Sequence, residues 1–342
     1  MSKKPLVSVL VTPYNQKAYI RQTLDSILMQ ECNFDFEVVI GEDCSTDGTR
    51  EICQEYALKY PKQIVLCLNE KNKGLIDNYF DVFLKARGVY MADCGGDDYW
   101  LTKSKLQEQV DILENHPNVS LVAGNWQFFH QKSGTFSKST SWVHQDWFQP
   151  ELFGKEAVAY YLNSNVFPRI VLASSCFRGD LARELYQQHP ELFRGNDVVC
   201  EDLPLTLGLL MKGPFYISKN NWLIYRVLEK SLSHSQIYFD YLKGFSFSAF
   251  KQTLILSTTL GVPNRALQSY IRVKFDDFTL QAFMSEDVDF FDALLEALNK
   301  FRIKIGLKIK LLKFCMNQHF LAQGLRTFYR KRHSQSFDHV QL

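Results

Sequence analysis

Two adjacent carboxylates, Asp97 and Asp98, are the residues whose type and spacing most readily suggest chemistry. They lie in residues 95–100, which read GGDDYW, directly after the apolar run of residues 89–92. Oxygen ligands at the carboxyl end of a strand in an open α/β sheet suit a hard divalent cation that is shared with a phosphate-bearing ligand. An acidic pair between a strand and a helix also commonly caps the helix or lines a solvated turn. The surrounding sequence has to decide between these two interpretations.

The alternation of apolar segments predicts the elements that position this pair. Strands are expected at residues 6–12, 36–40, 63–68, 89–92 and 119–123, and segments with apolar residues at helical spacing lie between them. Strands that alternate with helices in this way indicate an α/β fold with a mainly parallel, doubly wound sheet. Right-handed crossovers bring the loops that follow the strands to one edge of that sheet.

Three polar loops are therefore expected to meet at this edge. Thr12 and Tyr14 follow the first strand, Asp43 follows the second, and Asp97 follows the fourth. An aromatic ring such as that of Tyr14 can stack on a base, and the Asp43 carboxylate can accept a hydrogen bond from a base or a ribose. Together with a metal-binding carboxylate for a diphosphate, these side chains predict a nucleoside-diphosphate site.

The glycine pattern excludes several other nucleotide sites. No GxGxxG follows the first strand and no GxxxxGK[ST] occurs, so neither a Rossmann dinucleotide site nor a P-loop is expected. The glycine-rich loop with arginine and lysine by which sugar nucleotidyltransferases hold a triphosphate is also missing. Without a glycine-rich cradle, a metal is expected to neutralise the phosphates.

Composition limits the class of protein further. The chain has 342 residues, of which 46% are hydrophobic and 22% charged, as in a folded protein with two structural units. The formal net charge of +2 gives no reason to expect nucleic acid as a partner. The eight cysteines show no CxxC pair or metal-finger spacing, which is typical of reduced thiols in a cytosolic chain. The sequence contains no run of 18 apolar residues, so a membrane-spanning helix is not expected.

Four segments of the sequence together resemble the family 2 glycosyltransferases, which have the GT-A fold. They are VSVLVTPYNQKAYIRQTLDSIL, FEVVIGEDCSTDGT, NKG followed by GVYMADCGGDDYWLTKSKLQEQ, and EDLPLTLGLLMKG followed by YRVLEKSLS. The resemblance covers about residues 5–235. It implies an inverting transfer of a sugar from a nucleotide-diphosphate sugar, expected to be UDP-linked, to a hydroxyl of a glycan or lipid-linked acceptor. The expected setting is the synthesis of cell-surface polysaccharide or glycoconjugate.

The resemblance also implies roles for individual residues. Thr12 and Tyr14 would line the nucleoside pocket, with Tyr14 against the base, and Asp43 would bind the uracil or the ribose. Asp97 would be the metal-binding aspartate of a DxD-type motif, with Mn²⁺ or Mg²⁺ as the cofactor. Asp98 would sit beside it and support the donor site.

Gly95 departs from the family pattern. Many relatives carry an acidic residue at this position, two residues before the metal-binding aspartate, where it contacts the ribose or a metal-bound water. A non-catalytic protein that binds a nucleotide sugar or a glycan on the same fold is therefore kept as the alternative hypothesis.

By the same resemblance, Asp202 would be the catalytic base. An inverting transfer needs a carboxylate near the acceptor hydroxyl, opposite the leaving diphosphate. Glu201 and Asp202 could equally begin a helix with Pro204 in its first turn, and the two interpretations are compatible. Arg226 or His234 would steady the charge of the leaving group, although a lone histidine is as often a turn residue.

The acceptor side is less clearly marked. Residues 166–177 resemble the acceptor-side strand of the family, and residues 180–188 are expected to form a helix. The aromatic-rich residues 126–147 could shape the acceptor cleft or could simply pack.

The chain is expected to divide into a catalytic domain, residues 1–235, and a helical C-terminal region, residues 236–342. Basic and apolar residues alternate in residues 300–333, and no acidic residue lies among them. Such a segment can lie on an anionic membrane surface, or it can pack its apolar face on the catalytic domain while its lysines face water. A cytoplasmic location, at the inner face of the cell membrane if this segment binds lipid, is the expectation.

Overall fold

The computed structural model describes residues 4–137, 143–164, 167–228 and 242–301, together with residues 303, 311–314 and 323. The strands of this part are β1 (Val7–Val11), β2 (Phe36–Glu42), β3 (Ile64–Leu68), β4 (Tyr90–Asp93), β5 (Tyr99–Trp100), β6 (Leu121–His130), β7 (Thr135–Phe136), β8 (Trp147–Phe148), β9 (Cys176–Arg178) and β10 (Phe215–Val227). The α-helices are α1 (Ile20–Leu28), α2 (Thr49–Lys59), α3 (Leu75–Lys85), α4 (Lys105–Asn115), α5 (Gly154–Asn163), α6 (Gly179–Gln188), α7 (Asp202–Lys212), α8 (Phe247–Thr259), α9 (Gln268–Met284) and α10 (Val288–Lys300).

These strands form one sheet in the order β3-β2-β1-β4-β9-β6-β10-β5, with β7 beside β6 and β8 beside β10. Strands β3, β2, β1 and β4 run parallel, as do β6 and β10, whereas β5, β7, β8 and β9 join antiparallel. The register places Val11 beside Ile40 and Leu10 beside Asp93, so the carboxyl ends of β1, β2 and β4 meet at one edge. The expected α/β architecture with flanking helices is confirmed, and the antiparallel strands make the sheet mixed.

Strand β1 is buried on both faces because helices cover the two sides of the sheet. Val7, Val9 and Val11 belong to an apolar layer with α1, α2 and α4, while Leu10 belongs to the layer formed by α3 and α5 to α10. A continuous apolar run such as VSVLV is typical of a strand covered on both faces. The two layers hold the carboxyl edge of the sheet, and therefore its loops, in place.

The expected strand within residues 166–177 is wrong in extent. Among the described residues 167–178, only Cys176–Arg178 forms a strand, and a 3₁₀ turn, Leu172–Ser174, precedes it. The hydroxyls of Ser174 and Ser175 both donate to the Val171 carbonyl, which favours a turn over an extended chain. Residues 165 and 166 lie outside the described part of the chain.

Helices α8 to α10 pack through aromatic rings. Phe247 and Phe278 lie with ring centres 5.6 Å apart, and Phe290 meets Phe247 edge to face at 5.3 Å. These rings share one apolar cluster with α5 and α7. Most of the basic segment, residues 300–333, lies outside the described residues. Among the helices that the structure describes, none has the length and apolar character needed to cross a membrane.

Candidate active site

Thr12 and Tyr14 follow β1 in a loop that is fastened to the loop after β2. The backbone N–H of Asn15 donates to Ser45 Oγ at 3.0 Å, and Asn15 Oδ1 accepts from the N–H of Thr46 at 2.9 Å. Asn15 adopts a positive φ of 51°, a region in which asparagine is enriched. Thr12 is half-buried and Tyr14 is 43% exposed, so the Tyr14 ring is accessible to a ligand.

Asp43 lies at the same edge and is buried. Its N–H donates to the Pro13 carbonyl at 3.3 Å, which ties it to the loop that carries Tyr14. Its Oδ1 accepts from the Asn69 side chain and from the Lys73 N–H, each at 2.9 Å. Its Oδ2 accepts from the Gly74 N–H at 2.9 Å. The Asp43 carboxylate therefore fixes the loop before α3, and Oδ2 retains capacity for a ligand donor.

Asp97 and Asp98 lie in a tight turn after β4. The N–H of Asp98 donates to the Gly95 carbonyl at 3.1 Å, and Asp98 Oδ1 accepts from the backbone N–H of Arg226 at 2.8 Å. A Cβ placed on Gly95 would lie 3.2 Å from both Asp97 Oδ1 and Asp98 Oδ2. Both carboxylates therefore converge over the space that the glycine leaves open.

This turn adjoins the loop after β1. Gly96 packs so closely on Pro13 that an added Cβ would lie 3.1 Å from the Pro13 Cα. Thr23 Oγ1 of α1 donates to the carbonyls of Gly96 and Asp98 at 3.1 and 2.6 Å. The three polar loops expected at one edge of the sheet are thus brought together.

The donor set of this turn fits a divalent cation that also binds phosphate. Burial raises the pKa of Asp97, and burial together with the charge of Asp97 raises the pKa of Asp98 well above its ordinary value. Two crowded carboxylates of this kind are relieved by a bound cation. Mg²⁺ and Mn²⁺ sites often use one or two carboxylates with substrate phosphates. No cluster of three or more His, Cys, Asp or Glu side chains in the described residues could hold a metal by itself.

Arg226 lies behind the acidic turn and is 6% exposed. Its Nε donates to the Asp97 carbonyl at 2.7 Å, while Nη1 donates to Gln131 Oε1 at 2.6 Å and Nη2 to Gln22 Oε1 at 2.7 Å. Three rings lie around the guanidinium, those of Tyr19 at 4.8 Å and of Tyr99 and Phe129 at 5.5 Å. Each of the three guanidinium nitrogens donates a hydrogen bond to another residue of the protein. Arg226 therefore helps to hold the acidic turn in place.

Asp202 is the first residue of α7, and Glu201 caps that helix without a side-chain hydrogen bond to it. Burial raises the pKa of Asp202 to about 6, and burial with the charge of Asp202 raises the pKa of Glu201 well above its ordinary value. Glu201 Oε2 is buried without a hydrogen-bond partner among the described residues, and the buried Tyr79 hydroxyl faces Asp93. The helix-start interpretation of Glu201-Asp202 is confirmed, because α7 begins at Asp202.

Asp93 is a site residue that the sequence analysis missed. It ends β4 and is 9% exposed. Burial, followed by the charge of Asp202, raises the pKa of Asp93 to about 7. A single carboxylate directly after the predicted strand of residues 89–92 was the available signal. Nearby, Lys105 is buried with its Nζ 3.9 Å from the Trp100 ring centre.

Asp93 connects the two acidic pairs. Its charge acts on Asp98 as well as on the Tyr79 hydroxyl, and it is itself repelled by Asp202. We call Asp93, Asp97, Asp98, Glu201 and Asp202 the acidic cluster. Asp202 is thus linked electrostatically, through Asp93, to the turn that carries Asp97 and Asp98. His234 lies outside the described residues.

A mixed α/β sheet, flanked by helices and bearing an acidic turn at the carboxyl ends of parallel strands, defines the GT-A class of fold. The crystal structure of S. aureus TarS 1-349 in complex with UDP-GlcNAc has this fold. It matches with a TM-score of 0.63 at 17% sequence identity, over 96% of this chain and 92% of that chain. Residues 8–170 match the family described as Glycosyl transferase family 2.

Sequence relatives match part of this chain. An uncharacterized protein of Mycobacterium tuberculosis is 43% identical over 115 residues, which are 34% of this chain and 33% of the relative. The putative teichuronic acid biosynthesis glycosyltransferase TuaG of Bacillus subtilis is 39% identical over 110 residues, 32% of this chain and 42% of TuaG. The matched region therefore spans about a third of the first relative and less than half of the second.

Proposed function

We propose that this protein is an inverting glycosyltransferase that moves a sugar from a UDP-linked donor to a hydroxyl of a glycan or lipid-linked acceptor. The observation that carries the proposal is the acidic cluster, in which the charge of Asp202 at the start of α7 acts on Asp93, and the charge of Asp93 acts on Asp98. TarS, which has the same fold, was crystallised with UDP-GlcNAc and with UDP. The name of TuaG supports a role in cell-surface polysaccharide synthesis. Residues 1–235 would form the catalytic domain and residues 236–342 a helical region.

The donor would bind across the three loops at the carboxyl edge of the sheet. The exposed Tyr14 ring stacks on the base beside Thr12, and Asp43 Oδ2 accepts a hydrogen bond from the uracil or the ribose. Asp97 would hold Mn²⁺ or Mg²⁺, with Asp98 beside it. When bound, the metal supplies positive charge that the diphosphate needs as it leaves.

Asp202 would accept the proton of the acceptor hydroxyl. The acceptor oxygen then attacks the anomeric carbon on the face opposite the diphosphate, which inverts the configuration. A pKa of about 6 leaves the Asp202 carboxylate largely ionised at neutral pH while making it a stronger base than an exposed aspartate.

Arg226 would serve the donor site through the acidic turn. Because its guanidinium nitrogens bond to the Asp97 carbonyl, Gln22 and Gln131, it orients the carboxylates that meet the metal and the phosphates. A direct contact with the donor, as the family resemblance implies, stays a prediction.

The test is sugar transfer to water and to acceptors, followed as UDP release. Asp202→Asn should reduce transfer by at least about a thousandfold and leave donor binding within about twofold, because a base acts only in the reaction. Asp180→Asn is the matched control, since Asp180 is also an acidic residue in the first turn of a helix but is exposed. Full activity of Asp202→Asn would contradict the proposal.

A second candidate function is non-catalytic binding of a nucleotide sugar or a glycan. The observation that favours it is Gly95, which removes an acidic side chain from the donor site. Calorimetry with a panel of nucleotide sugars and Mn²⁺ separates the two functions. Binding without UDP release, to water or to any acceptor, would establish the second. A lack of binding to every nucleotide sugar would exclude both.

Peripheral membrane association through residues 300–333 is also proposed, on the basis of their alternating basic and apolar sequence. The measurement is co-sedimentation with anionic vesicles. Replacing Lys304, Lys308 and Lys310 by glutamine should weaken binding about tenfold or more, at roughly 1 kcal/mol per basic residue near the surface. Equal sedimentation of both proteins would remove the proposal.

A further inference from the structure

A cavity of about 540 Å³ lies beside α7 and is not used by the donor residues. Tyr161 of α5, Phe167, and Tyr270 of α9 form its aromatic walls. Its volume is in the range of ligand pockets. Thr12, Tyr14, Asp43 and Asp97 do not line it. The cavity is therefore distinct from the nucleoside and diphosphate part of the site.

The cavity lies next to the proposed catalytic base. Leu203, which follows Asp202 in α7, is part of its wall. The charge of Asp202 also reaches the Tyr161 hydroxyl, whose pKa is raised to about 12 by burial and then by that charge. A molecule bound against Tyr161 and Leu203 would therefore lie in the neighbourhood of the Asp202 carboxylate.

Two basic side chains, Lys274 of α9 and Arg169, also line the cavity. Lys274 is half-buried and makes no hydrogen bond or ion pair with any residue that the structure describes. The Lys274 ammonium is therefore available to pair with a bound anion. We call this cavity, with Lys274 and Arg169, the basic cavity.

We propose that the basic cavity receives the acceptor, and that the acceptor is a sugar or polyol carrying a phosphate or a carboxylate. This proposal rests on the proposed function. Lys274 and Arg169 pair with the anion, and the aromatic walls pack on the carbon skeleton. Because the acidic cluster repels an anion, the acceptor enters with its charge at the basic end and a neutral hydroxyl toward Asp202.

The orientation is consistent with the chemistry of the transfer. The acceptor O–H bond breaks, and its proton goes to the Asp202 carboxylate. A bond forms between that oxygen and the anomeric carbon of the donor sugar. The bond from the anomeric carbon to the diphosphate oxygen breaks, and its electron pair leaves with the nucleoside diphosphate.

The test measures binding of three probes to the full-length protein by calorimetry, namely glucose 6-phosphate, glucuronate and glucose. The anionic probes should bind about tenfold or more tightly than glucose, since hydrogen bonds to charged groups are the stronger ones. The better of the two anionic probes identifies phosphate or carboxylate as the group that is recognised. The preference should fall as NaCl is raised, because exposed charge pairs are screened.

Lys274→Gln should reduce the preference for the anionic probes about tenfold. Arg272→Gln is the matched control, because Arg272 is an exposed cation on the same helix that does not line the cavity. Equal binding of glucose and both anionic probes would overturn the inference, as would an unchanged preference in Lys274→Gln. These outcomes do not depend on UDP release, so they are distinguishable from a failure of the proposed function.

Discussion

Replacing Asp93 by asparagine should stabilise the protein, and by an amount that depends on pH. The pKa of Asp93 is raised from 3.8 to about 7, which is roughly 3 units. At about 1.4 kcal/mol per unit, ionised Asp93 costs the folded state about 4 kcal/mol. The charges that face it are those of Asp202 on α7 and Lys105 on α4, and the neutral Tyr79 hydroxyl of α3 also faces it.

The direction in which stability changes with pH follows from proton binding. Because the pKa is higher in the folded state, the folded protein holds the Asp93 proton more tightly than the unfolded chain does. Stability is therefore greatest below about pH 4 and falls as the pH rises to about 7. Asparagine is neutral throughout and removes this dependence. The stability gained by Asp93→Asn should be about 2–3 kcal/mol larger at pH 8 than at pH 5.

The assay is urea unfolding of both proteins at the two pH values. Asp111→Asn, on the exposed face of α4, is the control and should change stability equally at both. Two results would refute the reasoning. One is a gain that is the same at pH 5 and pH 8, and the other is a loss of stability at pH 8.

Three further predictions concern activity. The kcat/KM for transfer should rise with pH through about 6, because Asp202 with a raised pKa must lose its proton to act as a base; a profile that is flat from pH 5 to 8 would contradict this. Gly95→Ala should weaken donor binding with Mn²⁺ about tenfold, since the added Cβ would crowd both carboxylates at 3.2 Å, whereas Gly244→Ala, with nothing within 4 Å of its Cβ, should not. Arg226→Lys should raise the donor KM about tenfold, because an ammonium cannot replace the three directed guanidinium bonds, and unchanged KM would remove its role under the turn.

Much of the fold could be predicted because its signals are local. The apolar run of β1 and the helical spacing in α1 and α3 specify elements within a few residues of each other. The antiparallel insertion of β9 between β4 and β6 could not be predicted, because it depends on contacts between distant segments. Two serine hydroxyls that favour a turn decide where β9 begins.

The candidate site also contains residues that could be predicted from the sequence and residues that could not. Tyr14, Asp43 and Asp97 follow strands directly, so the parallel topology alone predicts that they meet. Asp93 was not recognised because its environment is created by α7, more than a hundred residues away in sequence. The position of Arg226 against the acidic turn likewise depends on where β10 lies in the sheet.

The bonds that fasten the loop after β1 to the loop after β2 have a consequence for affinity. Asn15, Ser45 and Thr46 order the proposed nucleoside end of the site without any ligand. A nucleotide that meets an ordered loop loses little free energy to conformational entropy, so its affinity reflects mainly the contacts that it makes. Amide hydrogen exchange at Asn15 and Thr46 should accordingly be slow in the free protein and change little when a nucleotide binds.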